Sequence, residues 1–179
     1  MAYDAMIVID MQNALVKAHP YNEKGVIENI KRLLEACRQN HIPVIYVRHD
    51  GGIEDELEYN TEGWQIYSEI APTADEPIFD KCYNSAFRKT KLKEYLDEHH
   101  MKNLILVGMQ SEFCMDTSCK VAFEYGYELC IPKDTTTTFD GPEMSGEARA
   151  RFYEEQIWKG RFAKVEEVER VIKEIQMPD

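Results

Sequence analysis

The amino-acid sequence predicts an α/β fold with three layers, in which a Rossmann-like, mostly parallel sheet of about six strands carries helices on both faces. Short apolar runs rich in β-branched residues alternate along the chain with segments whose apolar residues recur at helical spacing. This alternation is typical of parallel strands that are joined by helices. The chain has 179 residues, of which 44% are hydrophobic, so it can form a core without metal or disulfide support. Since no internal repeat or linker interrupts it, residues 1–179 are expected to form a single domain.

The first half of the chain predicts a strand, a helix and two further strands. Consecutive apolar residues at 5–9 and at 44–47 are typical of strands that are buried on both faces. Between these runs, apolar residues recur three or four positions apart from Val26 to Cys37, which predicts a helix. A shorter apolar run at 77–79 predicts a brief third strand.

The second half of the chain alternates helices and strands. Apolar residues at helical spacing predict helices near 92–99, 114–125, 145–158 and 168–175. Runs of apolar residues predict strands at 103–107 and 128–131, with a last edge strand at 163–165. Because the carboxyl ends of parallel strands lie at one edge of a sheet, where ligands of such folds bind, the residues that follow each strand are the candidates for function.

Residues 51–77 are expected to form a lid or active-site loop. The segment is acidic and shows no sustained periodicity, and a loop of this length in a compact domain usually has a function. Its aromatic centre at Trp64 indicates that part of the segment packs on the domain. The sequence leaves open whether Trp64 lines a pocket or anchors the loop on the core.

Composition excludes several classes of function. The chain has 21 Lys and Arg against 33 Asp and Glu, a net charge of −12, and such a chain repels nucleic-acid phosphates. No apolar run approaches the roughly 20 residues of a membrane span, and no basic region precedes the first apolar run, as a signal peptide would require. Five scattered cysteines without a CxxC pair indicate reduced thiols in a cytoplasmic protein. Dinucleotide-binding and ATP-binding glycine motifs are absent from the sequence.

An acid, a base and a thiol follow predicted strands. Asp10 follows the first strand, Lys81 the third, and Cys114 stands shortly after the fourth, at the start of a helix. A helix N-terminus and an ammonium group both favour a thiolate, and a carboxylate can take the thiol proton and later activate water. Each residue also has an alternative interpretation, as a turn-forming Asp, a solvated Lys and an inert buried Cys.

Several stretches together resemble the isochorismatase-like cysteine hydrolases, a superfamily that includes nicotinamidases, N-carbamoylsarcosine amidohydrolases and isochorismatases. The stretches are Asp10-Met-Gln-Asn13, Thr61-x-Gly63-Trp-Gln-Ile66, Asp80-Lys81 with Ser85-Ala-Phe87 and Thr90-x-Leu92, and Gly108-Met-Gln-Ser-Glu-Phe-Cys114. The resemblance extends from Asp10 to about Phe139. It implies that Asp10, Lys81 and Cys114 form a catalytic triad.

The resemblance also implies a mechanism. A cis peptide bond between Met109 and Gln110 would direct the Gln110 amide toward the substrate, where it would form an oxyanion hole with the Cys114 amide. Cys114 would attack a carbonyl carbon as a thiolate that Lys81 keeps ionised, and Asp10 would shuttle the proton. The presence of a nucleophile favours an amidase that cleaves a C–N bond, amide or carbamoyl, over an isochorismatase-type enol-ether hydrolase.

The segment after the second strand departs from the nicotinamidases, which carry an Asp-x-His pair there for a metal. Here it reads Arg48-His-Asp-Gly51, so no metal and no other cofactor is expected, and nicotinamide is less favoured as a substrate. His49 and Asp50 are interpreted as solvated turn residues, with substrate contact as the alternative.

Three residues are candidates for the substrate pocket, namely Gln12, Trp64 and Phe113. Gln12 could instead orient Asp10, and Phe113 could belong to the core. The expected partners are a small-molecule substrate and further copies of the chain, in a homodimer or a larger homo-oligomer, because members of the superfamily usually assemble in this way.

Two other classes of function remain compatible with the sequence. A non-catalytic relative that binds a small molecule or a partner chain would not need Asp10, Lys81 and Cys114 together. A thiol redox protein would pair Cys114 with Cys82 or Cys119, but Cys119 lies five residues further on, off the helical face that a local disulfide needs.

Overall fold

A computed structural model describes residues 3–177 and contains a seven-stranded sheet. Every strand pairing in it is parallel. The strands are β1 (Ala5–Ile9), β2 (Val44–His49), β3 (Ile78–Lys81), β4 (Asn103–Met109), β5 (Glu128–Pro132), β6 (Thr136–Thr137) and β7 (Lys164–Glu166). Their order across the sheet is β3-β2-β1-β4-β5-β7, and β6 pairs with the end of β4.

Six α-helices connect or follow these strands. They are α1 (Asn13–Lys17), α2 (Glu23–Gln39), α3 (Leu92–Glu98), α4 (Asp116–Glu124), α5 (Gly146–Phe152) and α6 (Val168–Gln176). Short turns of other helix types are a 3-10 turn at Ser68–Ile70 and π-helical turns at Ser111–Met115 and Tyr153–Trp158. None of the helices within the described range combines the length and apolar character that a bilayer-spanning segment needs.

The two faces of the sheet form two separate cores, which confirms the predicted three-layer α/β architecture. Strand β1 alternates between them: Met6 and Val8 pack with α2 and α6, whereas Ala5, Ile7 and Ile9 pack with α3 and α4. This alternation follows from the two-residue repeat of a strand. Because both faces are covered, the strand is apolar throughout, which is the pattern that predicted it.

The structure adds two short elements to the predicted order. Helix α1 is five residues long and strand β6 is two residues long, so neither is long enough to show a period in the sequence. The predicted helices at 114–125 and 145–158 each combine an α-helix with a π-helical turn.

The chain changes direction across the sheet between β1 and β4. From β1 it proceeds through β2 to β3 at one edge and then returns to place β4 on the other side of β1. Ligands of open α/β sheets bind at such a switch point, beyond the carboxyl ends of the strands. The ends of β1, β2, β3 and β4 therefore surround the candidate site.

The segment predicted to be a lid lies against the end of β1 and against α1. Three backbone hydrogen bonds connect the two regions. The N–H groups of Asn13 and Ala14 donate to the carbonyls of Gln65 and Gly63, respectively. The Tyr67 N–H donates to the Met11 carbonyl. Leu57, Trp64 and Ile70 of this segment are buried. The segment is therefore tethered to the residues that follow β1 at several points.

Candidate active site

Asp10 lies where β1 ends, in the middle of the sheet. Its N–H donates to the Val47 carbonyl at 2.9 Å, and its φ of 53° is in the left-handed region, which Asp tolerates better than most residues. The residue is 1% exposed. The turn of the backbone at Asp10 ends the strand and places the carboxylate at the carboxyl edge of the sheet.

Lys81 ends β3 and carries a buried ammonium group that three groups surround. Nζ lies 2.6 Å from Asp10 Oδ2, 2.8 Å from His49 Nδ1 and 3.2 Å from Cys114 Sγ. An ammonium group has three protons to donate, so these contacts account for all of them. The structure thus brings together Asp10, Lys81 and Cys114 from three separate parts of the chain.

His49 is the fourth member of this cluster, and the interpretation of it as a solvated turn residue is wrong. The ring is half-buried and contacts Lys81. Because an ammonium group can only donate, Nδ1 must accept, which leaves the ring proton on Nε2. Burial and the nearby Lys81 charge lower the pKa of His49, whereas the carboxylates of Asp10, Asp55 and Asp50 oppose this change. A neutral ring agrees with the hydrogen-bond geometry.

Gln12 fixes the backbone of His49 instead of lining the pocket. Its Oε1 accepts from the His49 N–H at 2.8 Å, and its Nε2 donates to the carbonyls of His49 and Trp64, both at 2.9 Å. The side chain is fully buried. Its amide therefore ties the end of β2 to the loop around Trp64.

Trp64 also lies outside the pocket. Of the two interpretations of this residue, pocket lining and loop anchor, the structure favours the anchor. Its ring is stacked under the Arg48 guanidinium, 3.5 Å from it, and contacts Tyr59. Arg48 in turn forms an ion pair with Asp80, at 2.8 Å. These contacts hold the ring against β2 and β3.

Cys114 lies in the π-helical turn that precedes α4, and its side chain is almost wholly buried. Burial and the Asp10 carboxylate raise the pKa of the Cys114 thiol to about 12, although Lys81 lowers it. The surroundings of Cys114 therefore favour the protonated thiol over the predicted thiolate in the resting site. Removal from water and one adjacent carboxylate outweigh one ammonium group, and that ammonium is itself paired with the carboxylate.

The backbone before Cys114 has the cis peptide bond that the resemblance implies, between Met109 and Gln110. The Gln110 carbonyl accepts from the N–H groups of Phe113 and Met115, at 3.1 and 3.2 Å. Met109 is fully buried, and Gln110 faces the cavity described next.

A cavity of about 260 Å³ opens beside Cys114. Its wall consists of Asp10, Leu15, His49, Gly51, Asp55, Glu56, Leu57, Asn84, Gln110, Phe113 and Cys114. Of the predicted site residues, Asp10, Gln110, Phe113 and Cys114 therefore line it. The wall residues from 51–57 belong to the segment that was predicted to be a lid or active-site loop. Asn84 had no signal in the sequence, whereas His49 could have been found from its place at a strand end.

Asp10, His49 and Cys114 each offer one metal-ligating atom, and these atoms lie within 4.8 Å of one another. The Lys81 ammonium contacts all three residues. A metal bound by this set would have to displace or face that positive charge, so the donors suit Lys81 better than a cation. The expected absence of a metal stays a prediction.

Comparison with known proteins gives one family. The sequence model described as the Isochorismatase domain matches residues 4–176. The uncharacterized isochorismatase family protein YddQ of Bacillus subtilis is 32% identical over 139 residues, which cover 75% of this chain and 77% of that protein. Nicotinamidase 3 of Arabidopsis thaliana is 30% identical over 151 residues, which cover 76% of this chain and 74% of that protein. The crystal structure of a cysteine hydrolase from Pseudomonas syringae pv. phaseolicola superposes with a TM-score of 0.88 at 23% identity, over 96% of this chain and 92% of that one.

Proposed function

Because this chain belongs to the isochorismatase family and is a hydrolase, we propose that it cleaves a C–N bond of a small molecule, an amide or carbamoyl bond, through a thioester on Cys114. The observation that carries this proposal is the position of Lys81 Nζ, which contacts Asp10 and Cys114 at the base of a cavity. A carboxylate, a cation and a thiol in contact form the unit that nucleophilic catalysis needs.

In the first half of the proposed reaction, Asp10 takes the thiol proton and Cys114 Sγ attacks the substrate carbonyl carbon. Asp10 Oδ1 is buried and has no hydrogen-bond partner in the described structure, so it is available as the proton acceptor. The C–N bond then breaks, and the nitrogen leaves with the proton held by Asp10. The carbonyl carbon remains bound to Sγ as a thioester.

In the second half, water replaces the departed amine. Asp10 takes one proton from the water, and the oxygen attacks the thioester carbon. The S–C bond breaks, the acid product leaves, and the proton returns to Sγ. Throughout both steps Lys81 compensates the negative charge that moves between Asp10 and Cys114.

The negative oxygen of the tetrahedral intermediates needs hydrogen-bond donors, which we assign to the backbone amides of Gln110 and Cys114. Gln110 lines the cavity together with Cys114, and the cis bond precedes it directly. Each such donor typically contributes about 10²–10³ in rate.

The descriptions of two relatives support a C–N bond and a thiol nucleophile. Nicotinamidase 3 is named for a carboxamide substrate, and the Pseudomonas syringae protein is described as a cysteine hydrolase. Cleavage of an enol ether would need Asp10 as an acid but no thiol, so the contact between Lys81 and Cys114 favours the amide.

The proposal is tested with a panel of small carboxamides and carbamoyl compounds, with ammonia release as the readout. The wild-type protein should release ammonia from at least one compound, and Cys114→Ala should be slower by about 10³-fold or more. Cys119→Ala is the matched control, since this buried thiol also lies on the α4 side of the sheet but not at the cavity. Equal turnover by Cys114→Ala, or cleavage of enol ethers alone, would contradict the proposal.

We also propose that the protein is cytoplasmic and forms a homodimer. The five cysteines are all free, which suits a reducing compartment. Phe123 and Phe152 are each more than two-fifths exposed, and large exposed apolar side chains commonly mark interfaces. Light scattering on the purified protein measures the assembly state directly.

A further inference from the structure

We infer that the cavity selects small amides that carry a positively charged group, such as a primary or quaternary ammonium. The amide part of this inference rests on the proposed function, whereas the charge preference rests on the cavity itself.

The wall of the cavity contains three carboxylates and no Lys or Arg side chain among residues 3–177. The carboxylates belong to Asp10 at the base and to Asp55 and Glu56 at the mouth. His49, the one other titratable base in the wall, is neutral because its Nδ1 accepts from Lys81. Lys81 does not line the cavity but balances the charge of Asp10, so the net negative charge of the cavity comes from Asp55 and Glu56.

Two of the three carboxylates, those of Asp55 and Glu56, are not neutralised by the surrounding protein. At the base, Lys81 balances the charge of Asp10 through Oδ2, and the buried Oδ1 has no hydrogen-bond partner among residues 3–177. Asp55 Oδ1 accepts from the backbone N–H of Leu57 at 2.8 Å. Asp55 and Glu56 form no ion pair with any residue from 3 to 177.

Apart from Lys81, the arginines next to the segments that line the cavity pair with other groups. Arg48 Nε and Nη2 donate to Asp80, at 2.8 and 3.2 Å, and the guanidinium plane covers Trp64. Arg149 contacts Glu112 at 2.9 Å and a backbone carbonyl. Neither arginine lines the cavity, so neither can offset its charge at short range.

An aromatic ring completes the arrangement. Phe113 lines the cavity and is 49% exposed, so one part of its ring is open to a ligand. A cation between an aromatic face and carboxylates gains both cation–π and Coulomb stabilisation. An anionic substrate would be repelled by the same carboxylates.

The electric field of the carboxylates at the mouth also reaches the interior of the cavity. The carboxylates of Asp55 and Asp50 act on the His49 ring, where they oppose the lowering of its pKa by burial and Lys81. His49 and Cys114 line the same cavity, so the carboxylates at the mouth also act on a reagent that approaches Cys114, together with the Lys81 charge beside its sulfur.

The inference is tested by the rates at which charged methanethiosulfonates modify Cys114. The cationic trimethylammonium-ethyl reagent and the anionic sulfonatoethyl reagent are similar in size. In both reactions the sulfur of Cys114 attacks the reagent sulfur, a disulfide forms and methanesulfinate leaves. Peptide mass spectrometry gives the rate at Cys114, and the exposed Cys82 and a small free thiol serve as references.

After normalisation to the free thiol, the cationic reagent should modify Cys114 at least about tenfold faster than the anionic one. The double variant Asp55→Asn/Glu56→Gln should lower this ratio at least about threefold, and about 0.5 M salt should lower it as well. A ratio near one, a reversed ratio, or a Cys114 that neither reagent reaches would overturn the inference.

This readout does not depend on turnover, so it separates the charge preference from the proposed hydrolysis. A second measurement compares kcat/KM for 4-(aminomethyl)benzamide and 4-carboxybenzamide. Faster turnover of the cationic amide supports the inference, and faster turnover of the anionic amide contradicts it. If neither amide is cleaved while the reagent ratio persists, the charge preference stands and the choice of amide as the reacting group fails.

Discussion

At the scale of single residues, Lys81 shows how a charged group can be accommodated in a buried position. Its ammonium is removed from water, which is costly, but it faces a carboxylate at 2.6 Å and two further acceptors. Such a pair stays charged because each partner compensates the other. The thiol beside the pair stays protonated, with a pKa of about 12, so the resting site stores its negative charge on Asp10 and not on Cys114.

This charge distribution predicts opposite effects of Asp10→Asn on two reactions of Cys114. Removing the carboxylate leaves Lys81 beside the thiol, which lowers the pKa of Cys114 and increases the fraction of thiolate. Alkylation of Cys114 by iodoacetamide at about pH 8 should therefore become faster. The thiolate fraction rises about tenfold for each unit by which the pKa falls below 12, and the rate rises by less because a thiolate of lower pKa is a weaker nucleophile. Amide hydrolysis should be lost, because the proton carrier is missing.

The pH dependence of alkylation provides the check. In the wild-type protein the rate at Cys114 should still rise above about pH 9, since its thiol pKa of about 12 lies higher. In Asp10→Asn the rate should level off at a lower pH. Unchanged or slower alkylation in the variant would show that Asp10 does not hold the thiol in its protonated form.

At the scale of elements, the site depends on how closely β1 and β4 approach each other. Gly108 pairs with Ile9 across the two strands and has a φ of 132°. A Cβ at this position would collide with the carbonyl oxygen of Ile9. Only glycine therefore allows β4 to lead into the Met109–Gln110 peptide and onward to Cys114 at this distance from Asp10.

We predict that Gly108→Ala lowers the free energy of unfolding by about 3 kcal/mol or more, because both the backbone angle and the Ile9 contact oppose a methyl group. Gly126→Ala is the matched control. Its φ of 83° is also positive, but a Cβ there meets no atom within 4 Å, so about 1 kcal/mol is expected. Urea unfolding of both variants measures the difference, and equal losses would refute the role of the Ile9 contact.

Sequence patterns predicted the elements well wherever a run of residues was uniformly buried. The strands β1 and β4 are apolar on both faces because helices cover both, and this is visible in the sequence alone. The protonation of Cys114 and the contact of His49 with Lys81 were not visible. Both depend on residues 32 to 71 positions apart, whose distances only the folded sheet defines.

The pocket wall could be predicted only in part for the same reason. Phe113 and Gln110 follow β4 directly and share its edge of the sheet, so their place was inferable. Gln12 follows β1 closely and Trp64 lies in the predicted lid segment, but hydrogen bonds and stacking turn both away from the cavity. Asp55 and Glu56 belong to a loop whose path no periodic pattern describes.

At the scale of the whole molecule, stability should depend on the protonation of one buried acid that does not line the cavity. Burial and the Asp134 carboxylate raise the pKa of Glu154 from 4.5 to about 7. The folded protein therefore binds a proton more tightly than the unfolded chain. As the pH rises from about 4.5 to about 7, this group makes the free energy of unfolding fall, and the loss persists at higher pH.

Glu154→Gln should therefore be more stable than the wild-type protein at about pH 8, by up to about 3 kcal/mol, and no more stable at about pH 4. The amide can still accept from Thr136, as Glu154 does at 3.2 Å. Glu143→Gln, at an exposed position, is the control and should show no such pH-dependent gain. A gain that is equal at both pH values would refute the titration of Glu154.

The most direct test of the central claim is to locate the acyl group after reaction with an activated ester. The protein is mixed with p-nitrophenyl acetate, and the mass of the intact chain and of its peptides is followed over time. In the wild-type protein we predict one acetyl group on Cys114 that is then released by hydrolysis. In Asp10→Asn the acetyl group should persist, and in Cys114→Ala it should not form. Acetylation of the exposed Cys82 with none on Cys114 would contradict the account.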